Sequence, residues 1–149
     1  TAVRYFIRDH PEVLTDGVKL RDLCASVQAA IVEVLVAKTV RAARPNTPIL
    51  LVEDRTFTNA YLVPSKMQHH KTSRAALRAA FDKLIADGTK NLHYLTGDDL
   101  LGDDTEGTVD SSHPTDLGFQ RQAAAFEAVL RPALRPLLAQ PPGHLAILR

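Results

Sequence analysis

The sequence has no tryptophan, few aromatic residues and a single cysteine, Cys24. One cysteine excludes an internal disulfide framework and a zinc site built from cysteine pairs, and it leaves the cellular compartment undetermined. Basic and acidic residues nearly balance, at 18 and 17. The chain therefore lacks the broad positive surface that nucleic-acid binders need, and we expect no nucleic-acid partner.

Long apolar runs are also missing. The longest, from 29 to 37, is interrupted by Glu33 and is far shorter than the roughly 20 residues that cross a bilayer. We expect no membrane-spanning segment. The chain starts with Thr1 and shows no secretory leader, which leaves localisation open, including export after removal of an upstream signal.

What is present is typical of one globular domain. The 149 residues are 45% hydrophobic and 23% charged, as in ordinary folded proteins. Apolar periodicity predicts a helix from Leu20 to Arg44, which Pro45 and Pro48 end. The apolar run Ile49 to Val52 then predicts a strand buried on both faces, followed by a loop that reaches His70.

The second half alternates in the same way. We expect a helix from Ser73 to Asp87, capped by Gly88, a short strand at 91–95 and an exposed acidic loop at 96–112. A last helix starts near Asp116, its expected cap, and is disturbed at Pro132 and Pro136.

Alternating helices and strands predict a layered α/β domain with a parallel sheet. Two strands make a small sheet, and the segment Val3 to Ile7 is the one fair candidate for a third strand within the chain. Further strands would have to come from sequence outside it. With so few strands to cover the helix from Leu20 to Arg44, we expect association with a second copy as one solution for its apolar face.

The most informative pair is Asp110 and His113. A carboxylate three residues before a histidine, in a loop that leads into a helix, can accept a hydrogen bond from imidazole Nδ1 and leave Nε2 free. That arrangement builds a general base. The same spacing also arises in ordinary surface loops, so the spacing alone leaves both interpretations open.

The longer string favours the first interpretation. Asp110 to Phe119, with the sequence DSSHPTDLGF, resembles the final block of the SGNH, or GDSL-type, hydrolase superfamily. Thr47 to Asn59, which contains PILLVEDR, resembles the penultimate strand and outgoing loop of an esterase-like branch, and the resemblance covers about 33–138. It implies a three-layer, flavodoxin-like α/β fold, present here only as its carboxy-terminal part in a single partial domain. It also implies hydrolysis of a small-molecule or carbohydrate ester, with His113 as base and Asp110 as its orienting partner.

The nucleophile of such an enzyme is not found. The superfamily takes its serine from a glycine-rich motif, and two later blocks complete its oxyanion hole; none of these matches this chain. The serines are Ser26, Ser65, Ser73, Ser111 and Ser112, and none lies in a Gly-Asp-Ser or Gly-x-Ser-x-Gly context. We therefore predict negligible esterase activity for this chain alone. The alternative is a truncated or decayed, non-catalytic remnant that acts by binding or self-association.

Other side chains carry weaker hypotheses. His69, His70 and His93 with the acidic loop suggest a metal site, but adjacent histidines point apart and the acidic spacing does not fit a calcium loop. We expect neither a metal nor a cofactor. Arg55 follows the apolar strand, where open α/β sheets place ligand groups, and is a candidate substrate-binding residue; the alternative is a surface ion pair with a neighbouring acid. Cys24 fits a small buried position.

Overall fold

A computed structural model describes residues 2–98 and 100–139. The helices are α1 (Ala2–Asp9), α2 (Gly17–Glu33), α3 (Arg41–Ala43), α4 (Pro64–Ala86) and α5 (Asp116–Leu138), and the strands are β1 (Ile49–Val52) and β2 (Leu92–Leu95). A 3₁₀ turn at Pro11–Leu14 precedes α2, and a π-helical segment at Val34–Val40 joins α2 to α3.

The two strands form a parallel sheet. Ile49 lies opposite Leu92 and Val52 opposite Leu95, and α4 makes the crossover between the strands. The prediction of an α/β fold with a parallel sheet is thus confirmed. A strand, a crossover helix and a second parallel strand bring the carboxyl ends of both strands to the same edge, where the outgoing loops meet.

The sheet is less covered than the sequence predicts. All four residues of β1 are half-buried, whereas the apolar run Ile49–Val52 predicts burial on both faces. Within the described residues the sheet contains only β1 and β2, so one edge of each strand has no neighbouring strand. This finding agrees with an α/β fold of which only part is present.

Two predictions for the first half of the chain are wrong. The segment Val3 to Ile7, our candidate strand, lies in helix α1. Helix α4 begins at Pro64 and not at Ser73, so the last part of the expected loop, 64–70, is helical, while 53–63 is loop as predicted. Proline at the first helical position needs no backbone N–H and has its φ preset, so Pro64 begins this helix.

Helix α5 also differs in detail from the expectation. Thr115, not Asp116, is its capping residue, and its hydroxyl accepts a hydrogen bond from the Gly118 backbone N–H at 3.2 Å. The helix continues past Pro132 and Pro136 to Leu138. The prolines therefore do not end it.

The acidic loop is anchored and only partly exposed. Leu100 and Leu101 are buried, with 3% and 2% of their surface accessible, which corrects the expectation of an exposed loop over 96–112. Arg121 of α5 donates a hydrogen bond to the Leu101 carbonyl at 2.7 Å and pairs with both carboxylate oxygens of Asp104. The loop is thereby tied to the helix that follows the Asp110–His113 pair.

The main apolar core lies between the sheet, α4 and the segment after α2. Its buried members are Val36, Leu84 and Leu92, and they pack against the partly buried Val32, Ile49, Leu51 and Phe81. Helix α4 ends as predicted, with Gly88 at a φ of 84° and the Thr89 N–H bonded to the Leu84 carbonyl. A positive φ at this point favours glycine.

Much of the apolar surface of α2 and the segment after it is exposed, including Ile31, Val34 and Leu35. Cys24 is exposed as well, contrary to our expectation. Among the described residues, the continuous helical stretch Gly17–Ala43 is long and apolar enough to cross a membrane. Length and composition are the whole basis of this finding, and core helices and signal sequences pass the same test.

Candidate functional site

The structure brings Asp110 and His113 into direct contact. His113 Nδ1 lies 2.6 Å from Asp110 Oδ2. The other carboxylate oxygen, Oδ1, accepts the backbone N–H groups of Ser112 and His113 at 3.0 and 2.7 Å. One carboxylate therefore shapes the turn and orients the imidazole that the turn carries.

These hydrogen bonds also fix the protonation state of Asp110. The backbone N–H and the imidazole of His113 hold the pKa of Asp110 at about 2, so this carboxyl is ionised at neutral pH. An ionised carboxylate only accepts hydrogen bonds, so Nδ1 of His113 must donate. In the neutral imidazole Nε2 then has no proton and is free to accept one, as a general base requires.

The pair lies on an open surface. The side chains of His113 and Asp110 are 74% and 51% exposed. An imidazole in the water-exposed position seen here lacks the low-dielectric surroundings that strengthen catalytic electrostatics.

Several backbone contacts join the two ends of the Asp110–His113 turn. Thr108 pairs with Pro114 in an antiparallel bridge, and the Val109 N–H donates to the His113 carbonyl at 3.0 Å. Gly118, in the first turn of α5, packs against the Gly107 carbonyl so closely that a Cβ would overlap with it. The start of α5 and the turn are therefore one packed unit.

Arg55 contacts this turn from the end of β1. Its Nε donates to the Ser112 carbonyl at 2.9 Å, and its Nη2 donates to the Ser112 hydroxyl. Its Nη1 forms an ion pair with Asp54. An ion pair with a neighbouring acid was the alternative to substrate binding for this residue. These contacts occupy all three guanidinium nitrogens with protein groups, and the substrate-binding role of Arg55 stays a prediction.

Sequence reasoning missed two neighbours of the turn. Lys66 donates to the Ser111 hydroxyl at 3.2 Å and to the Asn59 side chain at 2.8 Å. Thr58 donates its backbone N–H to the Ser111 carbonyl at 3.1 Å. The helical periodicity of α4 gave no signal for Lys66, because its role depends on a loop 45 residues away.

His70 is buried, with 2% of its surface accessible, and its Nε2 accepts the Phe57 backbone N–H at 2.9 Å. Burial lowers its pKa, so the imidazole is neutral. The Nε2 atom of His69 lies 3.7 Å from Asp54 Oδ2, and His93 lies in β2. Across 2–98 and 100–139, no group of three or more histidine, cysteine, aspartate or glutamate side chains is arranged to hold a metal ion.

A buried polar network joins the carboxyl ends of the two strands. Glu53 accepts hydrogen bonds from the Tyr94 hydroxyl at 2.7 Å and from the Gly97 N–H at 2.9 Å. Arg74 of α4 pairs with Glu53 and donates to the Asp54 carbonyl at 3.1 Å. Burial, with the neighbouring Glu53, raises the pKa of Tyr94, so it stays a neutral donor. These contacts therefore hold the beginning of the loop that carries Arg55 in place.

The serine hydroxyls with described hydrogen bonds have partners other than His113. Ser26 and Ser73 donate to carbonyls of their own helices, and Ser111 and Ser112 accept from Lys66 and Arg55. These contacts place the two turn serines towards cations. The nucleophile stays unassigned.

Comparisons with known proteins bear on this arrangement. The model of the GDSL-like Lipase/Acylhydrolase family matches residues 23–131, a range that includes the strand, crossover helix and Asp110–His113 turn. A crystal structure at 1.40 Å of a protein from Bacteroides ovatus ATCC 8483, described as a GDSL-like lipase, is 31% identical with a TM-score of 0.57. That similarity covers 67% of this chain and 28% of the other. No curated protein matches the chain.

A parallel α/β sheet with a histidine-aspartate pair beyond its carboxyl edge is an arrangement that hydrolases use. This arrangement and the family match over most of the chain's length together define the class of protein. The chain belongs to the GDSL-like lipase/acylhydrolase family.

Proposed function

We propose that this chain supplies the base of a serine-type ester hydrolase, with His113 as general base and Asp110 as its orienting acid. The observation that carries the proposal is the 2.6 Å contact between His113 Nδ1 and an Asp110 carboxylate that stays ionised. The family membership supports hydrolysis, and the name of the family supports an acyl ester as substrate. A small-molecule or carbohydrate ester fits this class.

In the proposed reaction, a serine hydroxyl outside the residues assigned here attacks the ester carbonyl. His113 Nε2 takes the hydroxyl proton as the new carbon–oxygen bond forms, and Asp110 stabilises the resulting imidazolium. The same Nε2–H then protonates the leaving alkoxide as the acyl–oxygen bond breaks. Water, deprotonated by His113, releases the acyl group as a carboxylic acid and restores the serine.

Two observations favour a non-catalytic remnant instead. The His113 side chain is mostly exposed, and the serine hydroxyls with described bonds contact other groups. Under this alternative the turn is a structural relic, and any activity of the chain is binding or self-association.

Labelling with a fluorophosphonate probe distinguishes the two proposals, because the probe reacts only with an activated serine. The test uses the native gene product, with its intact mass measured, and a His113→Gln variant expressed in the same host. The hydrolase proposal predicts labelling of the native protein and at least about a hundredfold slower labelling of His113→Gln. Labelling that is equal in both proteins would contradict the role of His113. No labelling in either protein would favour the remnant.

A further inference from the structure

Two cationic side chains, Arg55 and Lys66, form hydrogen bonds to the Asp110–His113 turn. Arg55 directs two guanidinium nitrogens at one residue of the turn, Ser112, one to its carbonyl and one to its hydroxyl. Lys66 reaches the preceding residue, Ser111, at 3.2 Å. These two serines are the residues between Asp110 and His113, so the contacts hold the part of the backbone that sets the distance within the pair.

The turn needs such support because its backbone is unusual. Ser111 has a φ of 69°, in the left-handed region that residues other than glycine seldom adopt. Such a conformation is strained and persists where surrounding contacts stabilise it. The Thr58 N–H bond to the Ser111 carbonyl and the Lys66 contact to its side chain fall on this residue.

Both cations are themselves positioned by one ring. The Arg55 guanidinium carbon lies 5.5 Å from the centroid of Phe57, and the Lys66 ammonium lies 4.6 Å from it, both within cation–π range. Phe57 is fixed in turn by its backbone bond to the buried His70. A continuous set of contacts therefore connects the buried interior of α4 with the surface turn.

We propose that Arg55 and Lys66, seated on Phe57, are positioning residues that hold Ser111 and Ser112 and thereby keep His113 bonded to Asp110. This positioning role is separate from the substrate contact predicted for Arg55, which stays a prediction. The inference rests on the proposed function for its catalytic meaning, while the geometry it predicts is measurable without any turnover.

The test is the ratio of the two neutral His113 tautomers, read from long-range ¹H–¹⁵N correlation spectra of the ¹⁵N-labelled chain. The wild-type protein should show the Nδ1–H form. In Arg55→Gln we expect the ratio of Nδ1–H to Nε2–H to fall by about tenfold, since a hydrogen bond from a charged group is lost. Arg55→Lys should fall between the two, because lysine keeps the charge but lacks the planar two-donor group.

The matched control is Arg78→Gln. Arg78 also stacks on aromatic rings, 3.8 Å from the Tyr94 centroid and 5.6 Å from that of Phe81, and should leave His113 unchanged. Lys66→Met is the second variant and carries the test if Arg55→Gln does not fold. Wild-type tautomer ratios in folded Arg55 and Lys66 variants would overturn the proposal. Failure of probe labelling in the native protein would instead contradict only the hydrolase function.

Discussion

At the scale of single residues, the protonation states of Asp110 and His70 have different physical causes. Asp110 is an exposed carboxylate whose pKa is kept at about 2 by hydrogen bonds, chiefly from the His113 backbone and imidazole. His70 is a buried imidazole whose pKa is lowered by loss of hydration. The first remains charged and accepts hydrogen bonds from His113. The second remains neutral in order to accept the Phe57 N–H.

The lowered pKa of His70 predicts a pH-dependent stability. Between its folded-state pKa and the ordinary value of 6.5, the unfolded chain binds more protons than the folded chain. The free energy of unfolding should therefore fall as pH decreases through 6.5, and the His70 contribution should be complete above it. Urea midpoints measured on both sides of pH 6.5 check this expectation.

His70→Gln is the control for that measurement, since its amide can still accept the Phe57 N–H but does not titrate. This variant should lose much of the slope near pH 6.5. An identical slope in both proteins would assign the effect elsewhere. The Asp104 and Asp110 carboxyls do not interfere, because their stabilisation is present above pH 3.8 and is lost only as pH falls towards about 2.

At the scale of elements, the start of α5 and the turn before it are locked together at two glycines. A Cβ on Gly118 would overlap with the Gly107 carbonyl oxygen and lie 3.1 Å from Pro114 Cβ. Backbone at this distance cannot yield without shifting the segment that carries His113. The requirement for glycine in the string that ends at Phe119 therefore has a steric cause.

We predict that Gly118→Ala destabilises the protein by about 1–3 kcal/mol through overpacking. Gly17→Ala is the matched control, because it also changes a glycine in the first turn of a helix, and its new Cβ would meet only the Arg21 side chain at 3.5 Å. Chemical denaturation of both variants tests this difference. Equal stability of Gly118→Ala and wild type would show that the close packing is wrong.

The elements also show which parts of the fold a sequence can predict. Strands β1 and β2, the end of α4 at Gly88 and the Asp110–His113 contact depend on local patterns, and all are present. The predicted start of α4 at Ser73 is wrong because the helix begins at Pro64, and proline favours the first turn of a helix.

Other features escaped prediction because they depend on distant residues. Leu100 and Leu101 are buried within an acidic stretch that looks solvated when only its composition is considered. Lys66 and Phe57 join the turn through contacts that link separate parts of the chain. No local periodicity encodes such contacts.

At the scale of the whole molecule, the similarity to a protein described as a GDSL-like lipase covers only part of that protein. The chain spans 28% of the Bacteroides protein that it resembles, and it carries no serine in a recognised nucleophile motif. Its sheet has two strands in the described region, and His113 is mostly exposed. The described residues thus show the hydrogen-bonded Asp110–His113 pair, while the nucleophile stays unassigned.

We accordingly predict that the purified 149-residue chain hydrolyses a short-chain chromogenic ester no faster than its His113→Ala variant. Loss of one triad member costs about a millionfold in a well-studied serine protease. Each missing oxyanion donor removes roughly 2.7–4 kcal/mol of transition-state stabilisation. Ester hydrolysis that disappears in His113→Ala would contradict this prediction and would place a nucleophile within the chain.

The most direct test of the account is the tautomer of His113 in the wild-type protein, measured by ¹⁵N NMR at neutral pH beside Asp110→Ala. We expect a proton on Nδ1 and none on Nε2 in the wild type, and loss of this preference in Asp110→Ala. A proton on Nε2 in the wild type, or identical spectra for the two proteins, would contradict the claim that Asp110 prepares His113 as a base.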